Sequence, residues 1–95
     1  MITRIVKLSF EDSYCVEFEA NFFETKKIVL SNKGCYSVEL LKSYEPGLYF
    51  TYSVWDNEDS LNHYRNSPVF KKIWGSFKPN FKTKAQAWTT KNISP

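Results

Sequence analysis

One histidine, His63, is the only side chain in this sequence whose ordinary pKa suits proton transfer near neutrality. It stands beside Tyr64 in the run His-Tyr-Arg, so proton transfer by an imidazole, or a hydrogen bond from a phenol hydroxyl, is the first chemistry on offer. Helical neighbours point about 100° apart. Tyr64 shares its face with Leu61, so the plainer reading puts His63 on the solvent side and the functional one makes it or Tyr64 the reacting group. Arg4 falls on the more apolar face of an N-terminal strand, where it could hold an oxyanion or simply reach the sheet edge. Trp55, Tyr64 and Trp74 could wall a flat aromatic pocket. For Trp74, a plain core role is favoured by its helical spacing with Phe70, Ile73 and Phe77. Asn21 and Tyr36 could line the same site, although no spacing selects them. Cys15 and Cys35 lack a CxxC spacing and a neighbouring base, which predicts reduced thiols without a nucleophilic role. Two cysteines and one histidine cannot close a structural zinc site, and the carboxylates show no ligand spacing, so no metal or cofactor is expected.

These residues must be positioned by a small set of elements. Residues 2–10 alternate with period two, placing Ile2, Arg4, Val6, Leu8 and Phe10 on one face and Thr3, Ile5, Lys7 and Ser9 on the other. A helix follows, capped by Asp12 or Ser13 and running to about Asn32, with Gly34 as its stop. It carries two apolar stripes, Val16/Ala20/Phe23/Leu30 and Phe18/Phe22/Val29. One should meet a sheet and the other a pocket wall, a helix or a partner. Residues 35–43 and 48–55 read as a hairpin about Glu45-Pro46-Gly47. Asp56 or Asn57 caps a short helix, and Ser67-Pro68 opens another that Pro79 ends. Residues 81–90 complete the set as a last strand.

The order is β-α-β-β-α-β, the ferredoxin-like arrangement: an α+β fold with an antiparallel sheet and helices on one face. Residues 1–95 form one domain, with its core over about 2–90. A chain this short buries roughly 60–65% of its unfolded surface, yet it carries three Trp, six Tyr and eight Phe. That excess of rings implies a pocket or a partner surface. No run approaches the roughly 18 apolar residues of a membrane span, and the N-terminus has no signal-peptide pattern, which predicts a cytoplasmic protein without membrane contact. The last acid is Asp59. Beyond it the chain carries +7, against −4 before it. Such a gradient can mark an anion or nucleic-acid surface, or a solvated lysine face.

The stretch Tyr52-Ser-Val-Trp55, the acidic turn after it, Leu61, Tyr64-Arg65-x-Ser67 and Phe70 resembles the antibiotic biosynthesis monooxygenase family of the dimeric α+β barrel superfamily. Gly34-Cys35 sits where that family opens its second strand. The resemblance covers about residues 1–90 and implies a homodimer whose sheets pack face to face. Lys7 would then meet the interface or its rim. It further implies a cleft between sheet and helices in each subunit. Some members oxidise polycyclic phenols to quinones with dioxygen and no metal or flavin, the substrate anion being the reductant. On that resemblance His63 and Tyr64 are the catalytic candidates, and Arg4, Trp55, Trp74, Tyr36 and Asn21 the binding candidates.

The leading expectation is a cofactor-independent monooxygenase for an aromatic or quinone-type molecule. Its rival is a non-catalytic small-molecule binder of the same fold. Haem degradation is set aside: the positions that carry asparagine, tryptophan and a ligating histidine in haem-degrading relatives align with Lys7, Tyr64 and Trp74. RNA binding is the remote alternative, since the RNA-recognition motif shares the element order. Residues 48–55 lack its basic-Gly-aromatic opening, and nucleic acid is not the expected partner.

Overall fold

The computed structural model describes residues 1–95. Its elements are β1 (Ile2–Ser9), α1 (Asp12–Leu30), β2 (Cys35–Lys42), β3 (Leu48–Trp55), α2 (Glu58–Arg65), α3 (Pro68–Phe77), a 3-10 turn (Lys78–Asn80) and β4 (Gln86–Thr90). The sheet order is β2-β3-β1-β4, antiparallel throughout. This is the expected ferredoxin-like fold, with the helices on one face.

Period two in β1 and β3 sets the two faces. Toward the helices point Val6, Leu8, Tyr49, Ser53 and Trp55, all buried. They close on Phe18, Phe22 and Val29 of α1, Leu61 and Tyr64 of α2 and Phe77 of α3. Phe10 is the hub of the aromatic core. Its ring lies 4.5 Å from Phe18, 5.3 Å from Phe81 and 5.8 Å from Phe77, centroid to centroid. The opposite sheet face carries a row in which Ile5 pairs with Tyr52 on one side and Trp88 on the other. Tyr52 and Trp88 remain 40% and 47% exposed there, with no helix over them.

The short helices end and begin as their residues dictate. The Asn57 side chain accepts the Ser60 N–H at 2.9 Å, and the Ser67 hydroxyl accepts that of Phe70 at 3.2 Å with Pro68 next in line. Gly47 has φ +81°, and a Cβ there would meet the Phe10 carbonyl oxygen at 2.6 Å, which is why the hairpin turn takes glycine. Gly34 has φ +87° and lies so close over Asp56 and Ser60 that no side chain fits.

Two expectations need correction, and a third, about the faces of α1, becomes specific. The cap of α1 is Glu11, which makes no side-chain capping bond, so neither Asp12 nor Ser13 holds that role. Residues 81–85 do not extend β4. Phe81 forms only an isolated bridge with Phe10, and pairing resumes at Gln86. Of the two α1 stripes, Phe18/Phe22/Val29 meets the sheet. Val16 and Phe23 stay 82% and 64% exposed, while Leu30 is half-buried against the core.

Candidate functional site

Between the sheet and the helices α2 and α3 lies an apolar cleft. β1 contributes Arg4, Val6 and Leu8; β3 contributes Thr51, Ser53 and Trp55; α2 contributes Leu61 and Tyr64; α3 contributes Phe70, Ile73, Trp74 and Phe77. The i, i+2 steps on each strand and the i, i+3, i+4 steps on each helix aim these side chains at one space. Trp55 is locked at its base, its indole N–H donating to the Ser53 hydroxyl at 3.0 Å. The Tyr64 ring stacks on Trp55 at 5.3 Å, Phe70 stands edge-on to Tyr64 at 5.2 Å, and Trp74 follows Phe70 at 5.6 Å. The free volume left among them is about 60 Å³. That is room for a water or two, well below the ~300 Å³ at which ligand pockets commonly begin. The open slot expected from the sequence is therefore nearly closed by its own rings.

Besides the Thr51 and Ser53 hydroxyls, two ionisable groups border this wall. Arg4 is half-buried and belongs to none of the four ion pairs, which join Lys26 to Glu39, Lys27 to Glu24, Lys42 to Glu19 and Lys82 to Asp12. Burial lowers its pKa, Arg65 nearby adds to that, and Tyr64 opposes it. Tyr64 is pushed up to about 12, first by burial and then by Cys35, with Arg4 pulling the other way. At pH 7 the site thus pairs a neutral phenol O–H with an uncompensated cation. That set donates hydrogen bonds to an oxyanion and contains no general base.

A wider groove of about 240 Å³ adjoins the cleft, lined by Arg4, Phe70, Lys71, Trp74, Gly75 and Lys78. Arg4, Phe70 and Trp74 border both spaces and so form the partition between them.

The structure brings Arg4, Trp55, Tyr64 and Trp74 together and separates the other candidates from them. His63 is exposed on α2 and lines neither space, because Tyr64 occupies the inward face of the helix. Tyr36 is 59% exposed at the β2 bulge, where Cys35 pairs with Trp55 and Ser37 with Val54. Asn21 faces a separate surface hollow with Tyr14, Glu17 and Ser76. Sequence reasoning passed over Thr51, Ser53, Lys71 and Gly75. The period-two register with Trp55 was enough to find the first two. No cluster of three or more His, Cys, Asp or Glu is placed to hold a metal ion. No helix is long and apolar enough to cross a membrane.

The family model described as antibiotic biosynthesis monooxygenase matches residues 1–74. A crystal structure of an antibiotic biosynthesis monooxygenase is similar with TM-score 0.88 at 10% identity, covering 99% of this chain and 100% of that one. A protein of Mycobacterium tuberculosis is similar at 0.87 and 13% identity, covering 99% and 96%. A conserved protein of Methanosarcina mazei Go1 is similar at 0.86 and 19%, covering 97% and 93%. At such identities the likeness is one of fold. A search of curated proteins finds no match.

Proposed function

Since the chain belongs to the antibiotic biosynthesis monooxygenase family, we propose that its cleft binds a phenol or quinone-type aromatic and oxidises it with dioxygen, without a cofactor. The observation that carries this reading is the unpaired Arg4 beside the neutral Tyr64 hydroxyl in an otherwise apolar, ring-lined wall. Arg4 favours the phenolate over the phenol, and Tyr64 donates to the same oxygen. The apolar walls keep that anion away from water, where it reacts most readily with dioxygen. In balance, a phenol and one dioxygen give a para-quinone and one water. The phenolate supplies four electrons. One oxygen atom becomes the new carbonyl and the other leaves as water with the two protons from O–H and C–H. The 60 Å³ interior admits the ring only when half-buried Phe70 or Trp74 swings out, so ligand entry is a side-chain opening step. His63, exposed on the far side of Tyr64, is assigned no part.

The reading includes a homodimer joined through the open sheet face, which would cover the row Tyr52–Ile5–Trp88. The test is dioxygen uptake with simple phenols and anthrones. Uptake above the buffer rate, lowered at least about 100-fold in Tyr64→Phe or Arg4→Gln while His63→Ala keeps the rate, supports the enzyme. Tight binding without uptake supports the second reading, a non-catalytic binder that uses the same cleft.

A further inference from the structure

The groove outside the cleft has a composition that the cleft itself does not explain. Of its six lining residues three are cationic, Arg4, Lys71 and Lys78, and none is acidic. None of the three belongs to an ion pair. Lys71 and Gly75 on α3 and Lys78, its C-cap and the first residue of the 3-10 turn, follow one another at spacings of four and three, which places them on one side. Two aromatic rings, Phe70 and Trp74, lie between these lysines and the interior. Gly75 is the second unexplained feature. Glycine in an exposed helix costs about 1 kcal/mol relative to alanine, and here no turn, positive φ or close backbone approach requires it. A Cβ at Gly75 meets nothing within 4 Å. The residue therefore leaves the floor of the groove open between two positive charges.

We propose that the ligand of this cleft is a hydroxy-aromatic acid, its phenol end at Tyr64 and its carboxylate in the outer groove between Lys71 and Lys78. The assignment rests on the cleft reading above and adds a substrate class to it. The ring crosses the partition formed by Arg4, Phe70 and Trp74, and Arg4 reaches both ends. The 240 Å³ outside supplies the room that the 60 Å³ inside does not. Lysines suit this task because an ammonium on a flexible stem follows a carboxylate at an open mouth, whereas the half-buried Arg4 belongs to the partition.

Calorimetric titration at low ionic strength and pH 7 tests it with three probes: 6-hydroxy-2-naphthoate, the matching 6-hydroxy-2-naphthamide, and 2-naphthol. The acid is expected to bind about tenfold more tightly than the amide. That preference should shrink to about twofold or less in a Lys71→Gln/Lys78→Gln double variant, both positions being exposed and outside the core. Gly75→Leu, which adds bulk to the groove from α3, should weaken the acid at least about tenfold and 2-naphthol much less. Equal affinity for acid and amide, or an acid preference that survives the lysine double variant, overturns the assignment while leaving the cleft reading intact. Failure of all three probes to bind overturns both.

Discussion

The ring of Tyr64 lies stacked against the indole of Trp55, centroids 5.3 Å apart and planes 23° from parallel. This contact joins α2 to the end of β3 in the lining that Tyr64 shares with Arg4. It also buries the Tyr64 hydroxyl enough to hold it neutral to about pH 12. A tyrosine raised in the folded state stabilises the fold fully below its unfolded pKa of about 10 and loses that contribution as pH rises to about 12. Wild-type stability, followed by urea denaturation, should therefore fall by about 2–3 kcal/mol more than that of Tyr64→Phe between pH 9.5 and 12. Parallel curves for the two proteins would show that the phenol is not buried as described.

Gly75→Ala adds a methyl in open space on α3. It should stabilise the protein by about 0.5–1 kcal/mol, read as a higher denaturation midpoint at unchanged slope.

At Gly34 the same substitution has the opposite sign. There φ is +87° and the new Cβ would collide with Asp56 and Ser60, whose surroundings already leave the Asp56 Oδ1 atom buried without a hydrogen-bond partner. A loss of at least about 2 kcal/mol is expected in the same measurement. The contrast between two Gly→Ala changes in one small domain is itself a check on the structure.

Much of this architecture could be read before any coordinates. The period-two pattern of residues 2–10, the aromatic run of 48–55, the Ser67-Pro68 start and the Gly47 turn each rest on local chemistry that tertiary context did not override. The last strand starts later than its expected bound, since of residues 81–85 only Phe81 finds a partner, at Phe10, and pairing resumes at Gln86. The inward placing of Tyr64 was legible from its shared face with Leu61 and that of Arg4 from its strand face, whereas the helical spacing of Trp74 pointed to a plain core role. The place of Asn21 was not legible, since it sits one residue from inward-facing Phe22 and so turns about 100° away to another hollow. Tyr36 was lost to a bulge between Cys35 and Ser37 that no residue pattern announces. The near closure of the cleft was also hidden, because it depends on how four rings pack rather than on which rings are present.

The open sheet face gives a prediction about assembly. If two sheets meet through Tyr52, Ile5 and Trp88, light scattering should return twice the 11.2 kDa of the chain. Trp88→Glu, at a position already 47% exposed in the single subunit, should then yield a folded monomer. A dimer that survives this charge would move the interface elsewhere.

The three tryptophans offer the most direct test of the cleft. Trp55 and Trp74 line it, whereas Trp88 pairs with Ile5 on the opposite face of the sheet. Each has one indole N–H signal in a nitrogen-15 NMR spectrum. Titration with 2-naphthol should shift the signals of Trp55 and Trp74 in saturable fashion and leave that of Trp88 in place. A shift confined to Trp88, or none at any of the three, would contradict a ligand in the space between Arg4 and Tyr64.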